Sequence, residues 1–149
     1  MFTDYTRLLQ FFQHFNKFYS YQFAPFLSRT KLTMREVQVL LFLANNPDYD
    51  TARDISLFRG ISKSQVSQAV ELLWAEGLLQ RVPDETDRRI VHLSITPEGL
   101  PLARECQRIQ ESCGARLLDG LTPQQTAQFQ FLLDTVLDNG VRLAEEASL

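Results

Sequence analysis

Residues Ile61–Gly99 read ISKSQVSQAVELLWAEGLLQRVPDETDRRIVHLSITPEG, and two periodicities meet in them. From Ser62 to Glu76 the spacing is helical. Val66, Val70 and Leu73 fall on one side, Ser64, Ser67, Gln68 and Glu71 on the other, and Gln65 sits on the flank. Ser62-Lys63-Ser64-Gln65 has the form of a capping box, which predicts the start of this helix, and Gly77 predicts its end. Beyond Gly77 the period becomes two. Leu79 and Val82 mark one arm, and on the other Val91, Leu93 and Ile95 alternate with His92 and Ser94. Pro83 and the charged run DETDRR separate the arms, so a β-hairpin with a polar tip is expected.

Upstream, Thr33-Met34-Arg35-Glu36 is a second capping box, followed by an apolar stripe of Val37, Leu40, Leu41 and Ala44 and a stop at Asn45-Asn46-Pro47. Thr51 with Asp54 opens a short helix through Phe58. Arg59-Gly60-Ile61 joins it to the helix at 62–76, and a turn of this length containing Gly is the mark of a helix-turn-helix. A first helix is predicted from about Asp4 to Leu27, with Leu8, Phe12, Phe15, Tyr19, Phe23 and Phe26 on one face and Phe11 and Phe18 on a second stripe. Two stripes predict burial on two sides, as in a dimer interface. Thr96-Pro97 and Thr122-Pro123 each predict a cap before a first-turn proline, and Gln125 completes a box with Thr122. Stripes follow at Leu102, Cys106, Ile109, Cys113 and Leu117, and at Phe129, Leu132, Leu133, Val136, Leu137 and Ala144. The expectation is a mainly α chain of six helices with one small β-hairpin wing.

The 149 residues suffice for one domain with a hydrophobic core. The longest apolar run, Val39 to Ala44, is too short to span a membrane. Two cysteines are too few for a disulfide scaffold and fit a reducing, cytoplasmic location; a signal peptide is not expected. The net charge of −3 argues against a broad electrostatic funnel for nucleic acid, but the acidity gathers after residue 96, where eight acidic residues face four basic ones. Between 51 and 68, Arg53, Arg59 and Lys63 stand against Asp54 alone, which leaves room for a local basic face. Ten of the 16 aromatic residues lie within the first 26 positions.

A helix-turn-helix followed at once by a hairpin is a winged helix-turn-helix. The helix at 62–76 presents a small polar face at its N-terminal end, suited to reading base edges in the major groove. The candidate contacts there are Ser62, Lys63, Ser64, Gln65, Ser67 and Gln68. On the wing, 83–90, they are Asp87, Arg88 and Arg89, an arginine at a hairpin tip being well placed for a minor groove. Each signal alone is weak, because any solvated helix carries Ser and Gln and any hairpin tip carries charge. Their order along the chain is what favours the reading.

The same segment resembles the core of the MarR (multiple antibiotic resistance regulator) family of transcription factors. The likeness lies in Asp87-x-Arg89 of the wing, the alternating strand after it, and Ser94-Ile95-Thr96-Pro97-Glu98-Gly99. It implies a bacterial homodimer that binds a pseudo-palindromic double-stranded DNA operator as a repressor. A winged helix-turn-helix lobe at about 31–96 would be flanked by dimerisation helices at about 1–30 and 97–149, all within one MarR-like domain. It further implies that Arg89 enters the minor groove while Asp87 holds it, with Arg88 as a phosphate contact or substitute. Only Lys63 is basic in the recognition helix, so modest non-specific affinity is expected.

Other readings compete. The aromatic first helix is core or interface, or else it lines a pocket for a small aromatic or phenolic effector, with His14, Phe15, Tyr19 and Tyr21 as candidates. Cys106 and Cys113 lie seven apart on one helix, a rise of about 10.5 Å, beyond disulfide reach within one chain. A thiol-redox-responsive regulator using them is an alternative, as is a winged helix that contacts only protein. His14 and His92 stand alone, so no metal site is expected, and His92 is expected to point outward from a wing strand. No nucleophile elbow, phosphate loop or cofactor motif is present, so the chain is not read as an enzyme.

Overall fold

The computed structural model describes residues 4–147, so Phe2 lies outside the described residues. In chain order the elements are α1 (Tyr5–Thr30), α2 (Met34–Asn45), α3 (Ala52–Arg59), α4 (Lys63–Ala75), β1 (Leu79–Pro83), β2 (Val91–Ile95), α5 (Leu100–Leu117) and α6 (Pro123–Glu146). They form two compact units, one through Cys113 and the other from Gly114 onward.

The first unit is built around α2 and α4. Val37, Val39, Leu40, Ile55, Val66, Ala69 and Leu73 are fully buried, and Phe23 and Phe26 of α1, Leu79 of β1, Leu93 of β2 and Cys106 of α5 close the same core. Each fully buried Val or Leu contributes about 1.5–3 kcal/mol, so the apolar face of α4 holds that helix far more firmly than its propensity does. Local chemistry sets the helix starts. Thr33 and Glu36 make a full capping box on α2, as do Thr51 and Asp54 on α3. Ser62 caps α4 by accepting from the Gln65 N–H at 3.4 Å, but the return bond from the Gln65 side chain predicted by a full box is not among its contacts. At the other end of α4, Gly77 at φ 71° and Leu78 donate to the carbonyls of Trp74 and Leu73, a Schellman stop that turns the chain directly into β1.

The hairpin pairs Leu79 with Ile95 and Pro83 with Val91 in antiparallel register. Leu79 and Leu93 face the core. Arg81 leans back onto α4, its guanidinium 2.6 Å from the Glu71 carboxylate and 4.9 Å from the centre of the Trp74 ring.

Two boundaries differ from expectation by three residues each. α1 runs three residues beyond Leu27, through Pro25, and stops at a left-handed Lys31. α5 starts at Leu100, not at Pro97. Residues 97–99 form a turn, because the Thr96 hydroxyl donates to the Gly77 carbonyl at 2.7 Å and accepts from the Gly99 N–H at 3.1 Å. That turn presses Gly99 so closely onto the Leu78 carbonyl that a Cβ there would lie 2.4 Å from it.

The aromatic residues of α1 form a ladder. Phe11 stacks on Phe15 at 5.9 Å, Phe15 meets Tyr19 at 5.9 Å, and Tyr19 meets Phe23 at 5.0 Å. Only the C-terminal rungs, Phe23 and Phe26, are buried, while Leu9, Phe11 and Phe12 are exposed. In the second unit, α6 opens with the predicted box of Thr122 and Gln125, and its residues Phe129, Leu132, Leu133, Val136, Leu137 and Val141 are exposed.

Candidate nucleic-acid interface

Gly60, at φ 62°, ends α3, and the Ser56 hydroxyl donates 2.7 Å to the Ile61 carbonyl. This bond ties α3 to the turn and fixes where α4 begins. The opposite side of α4, with Val66, Ala69, Val70 and Leu73, is buried, so the helix cannot roll. Its outward face then carries Ser62, Lys63, Ser64, Ser67 and Gln68, all exposed, with Gln65 half-buried. The unsatisfied N–H groups of the first turn point the same way and add a positive potential there. Arg53 and Arg59 are exposed on α3. Glu71, one turn beyond Gln68, is occupied by Arg81.

The wing tip is organised by its own acids. The Asp84 N–H donates to the Ile90 carbonyl, and the Ile90 N–H to the Asp87 carbonyl, closing the turn. One Asp84 oxygen accepts from the backbone N–H groups of Thr86 and Asp87 and from the Thr86 hydroxyl at 2.7–2.8 Å. The N–H of Asp87 and the Thr86 hydroxyl hold the Asp84 carboxyl far below the usual carboxylate range. Asp87 in turn accepts from Arg89 three times: from the backbone N–H at 3.0 Å, Nε at 2.9 Å and Nη2 at 2.8 Å. The Arg89 contact lowers the Asp87 carboxyl and raises the guanidinium. Arg89 is therefore aimed by a two-point fork while its side chain stays 89% exposed. Arg88 is exposed beside it.

His92 does not point outward as expected. It is half-buried, with Nδ1 2.7 Å from Asp50 and Nε2 3.1 Å from Asp84. Bonds to Asp50, then to Asp84, raise the imidazole above its usual value. Sequence spacing hid this contact, since Asp50 and His92 are 42 positions apart. Asp84 is the internal staple of the wing, bonded to Thr86 and Asp87 on one oxygen and to His92 on the other.

The four candidate effector residues do not share one pocket. His14 and Tyr21 line an open apolar hollow with Lys17, Phe18 and Ser20. Phe15 and Tyr19 lie about a quarter-turn or more around α1, in the ring ladder. Burial raises the Tyr19 hydroxyl above its usual value. Cys106 and Cys113 are buried, and burial pushes the Cys106 thiol up to about 12, the setting of an inert thiol rather than a sensor. Among the described residues no cluster of His, Cys, Asp and Glu is arranged to hold a metal ion, and no helix is long and apolar enough to cross a membrane.

A sequence model of the MarR family matches residues 30–90, the stretch from the end of α1 to the wing tip. Residues 30–90 are thus similar in sequence to the MarR family. The multiple antibiotic resistance protein MarR of Salmonella typhimurium is 27% identical over 73 residues. Those residues make up 48% of this chain, and the chain spans about half the length of that relative, 51%. A MarR transcriptional regulator from Methanosarcina mazei Go1 superposes with a TM-score of 0.76 at 18% identity, covering 93% of this chain and 99% of its own. FabT of Streptococcus pneumoniae, solved in complex with DNA, gives 0.70 at 21% identity, covering 94% and 99%. These two likenesses establish the winged helix-turn-helix fold along nearly the whole chain. Members of the MarR family are transcription regulators, not enzymes.

Proposed function

We propose that this chain is a dimeric, sequence-specific DNA-binding transcription regulator, acting as a repressor. It would place α4 in the major groove through Ser62, Lys63, Ser64, Gln65, Ser67 and Gln68 and lay Arg89 in the adjacent minor groove, with Arg88 on the backbone. The observation that carries this reading is the Asp87–Arg89 fork. An exposed arginine held at two points on a rigid turn is ordered before binding, so its side-chain freedom is not lost when it enters a groove. The small, polar N-terminal face of α4 supports the same reading. A helix-turn-helix in a two-fold dimer reads half-sites about 10 base pairs apart.

The dimer reading rests on exposed apolar residues. Leu9, Phe11 and Phe12 of α1 and Phe131, Leu132, Val136, Leu137 and Val141 of α6 are too many apolar side chains for a monomer to leave in water. Light scattering on the full chain and on a chain lacking residues 1–28 tests it, and a soluble, dimeric truncation would refute the interface. For DNA, fluorescence anisotropy compares the duplex upstream of the gene with a scrambled one over a salt series. Equal, salt-insensitive or absent binding would sink the proposal.

The hollow on α1 supports a role for a small aromatic effector. His14 and Tyr21 supply polar edges, Phe18 a ring face and Lys17 a cation. Such a compound releases DNA only if it binds the two conformations unequally. Release by phenols or benzoates, lost in Tyr21→Ala, is the expected result; no release by any of them refutes the effector reading.

A further inference from the structure

Two carboxylates grip one imidazole at the base of the wing. Asp50 belongs to the loop between α2 and α3, Asp84 opens the wing turn, and His92 sits on β2 between them. The same loop is stitched to the same strand by backbone contacts, since the Leu93 N–H donates to the Asp50 carbonyl at 2.8 Å and Thr51 bridges His92. Ionised carboxylates only accept, and a neutral imidazole has one N–H to give. Asp84 cannot supply the missing proton, because three donors on its other oxygen hold it ionised. With both carboxylates ionised, the two bonds are satisfied together only by an imidazolium. The proton on His92 therefore joins the start of the helix-turn-helix to a chain of contacts that runs through Asp84 and Asp87 to Arg89.

We propose that His92 is a positioning residue for the wing: as an imidazolium it clamps Asp84 to the α2–α3 loop and sets the placement of Arg89, so that wing order follows protonation of one ring. This extends the DNA-binding reading and rests on it for the consequence in affinity. The other charged groups around the clamp do not displace it. Asp54 of α3 is spent on the Thr51 N–H and hydroxyl, Asp48 of the loop is exposed, and Arg104 of α5 lines the hollow beside Asp50. The sign follows from linkage. With the folded value raised, the clamp is complete below the ordinary imidazole value of about 6.5 and is released as pH rises through the higher folded value. Asp84, held low, stays ionised throughout that window.

Nuclear magnetic resonance on the full chain tests the clamp without DNA. The chain has only two histidines, so His14 serves as the internal reference. His92 is expected to titrate above about 6.5, with the amides of Thr86, Asp87 and Arg89 shifting at the same midpoint. In His92→Gln and in Asp50→Asn those amides lose that midpoint. A His92 midpoint at or below the ordinary value, or wing amides indifferent to it, overturns the inference. Anisotropy with the upstream duplex then reads the consequence. Between about pH 6 and about pH 8.5, either side of the ordinary value, wild type loses affinity severalfold and His92→Gln stays nearly flat. Equal declines in both proteins overturn the inference. If neither protein binds DNA at any pH, the DNA-binding proposal fails instead, and the resonance result still decides the clamp.

Discussion

Gly99→Ala is expected to unfold this protein at markedly lower temperature, and the turn before α5 gives the size of the effect. The new Cβ would stand 2.4 Å from the Leu78 carbonyl oxygen and 2.9 Å from Ile95 Cγ2. The isoleucine methyl can swing aside. The carbonyl cannot, because it accepts the Thr96 N–H at 3.1 Å and the Thr96 hydroxyl is fixed on the neighbouring Gly77 carbonyl. An ordinary separation of roughly 3.5 Å requires a backbone shift of about 1 Å. Overpacking of this kind costs about 1–3 kcal/mol. Losing the Leu78–Thr96 bond, at a residue only 6% exposed, adds about 1–3 kcal/mol. Against these stands the gain from a less flexible unfolded chain, about 0.4–1 kcal/mol. The clash wins, with a net loss of roughly 2–4 kcal/mol, or a Tm lower by about 5–15 °C for a chain of this size. Gly114→Ala is the internal control. It lies in α5 with nothing within 4 Å of its would-be Cβ, so the same chemical change should stabilise by about 0.5–1 kcal/mol. Thermal and urea unfolding followed by circular dichroism, at fixed protein concentration, decide both. Gly99→Ala as stable as wild type would show that the Leu78 carbonyl is free to move, and the account of the wing's junction with α5 would fall.

Further expectations concern binding. Arg89→Ala should weaken the upstream duplex by roughly tenfold, whereas Arg108→Ala on α5 leaves anisotropy unchanged; similar losses would refute the wing assignment. Asp87→Ala removes a negative charge near DNA, so simple charge counting predicts tighter binding. Release of the Arg89 fork predicts weaker binding, and the sign of the measured change discriminates, with no weakening expected in an Arg89→Ala background. Gln68→Ala should flatten preference at particular base pairs in a substituted-duplex panel, and a uniform loss across all duplexes would reduce Gln68 to a positioning role.

Much of the lobe was legible in its residues because short-range chemistry decides it. Thr33 with Glu36 and Thr51 with Asp54 are boxes spelled within four positions, and Gly77 stops α4 because a left-handed residue is needed there. The alternation from Val91 to Ile95 put Leu93 inward as expected. What escaped was decided at long range. Thr96 caps a turn rather than a helix starting at Pro97: its hydroxyl accepts from the Gly99 N–H and donates to the Gly77 carbonyl, across the hairpin, and α5 begins only at Leu100. His92 looked like a solvent-facing strand residue until Asp50 came round from the preceding loop. The four residues of α1 chosen for polarity and aromaticity divided between two faces of one helix, which polarity alone does not sort. Asp84 is one more charge of the polar tip DETDRR in the sequence, and only the closed turn shows that it takes up the donors the backbone leaves over.

The two native thiols carry a practical consequence. Cys106 and Cys113 are both buried, and the Cys106 thiolate is essentially absent at neutral pH. Maleimide chemistry on the folded chain is therefore directed to whatever cysteine is added by design. With Glu85→Cys at the exposed wing tip, a single dye or spin label would sit on the turn itself. Wing motion could then be followed by distance and anisotropy in the otherwise native protein, with no need to strip its own cysteines first.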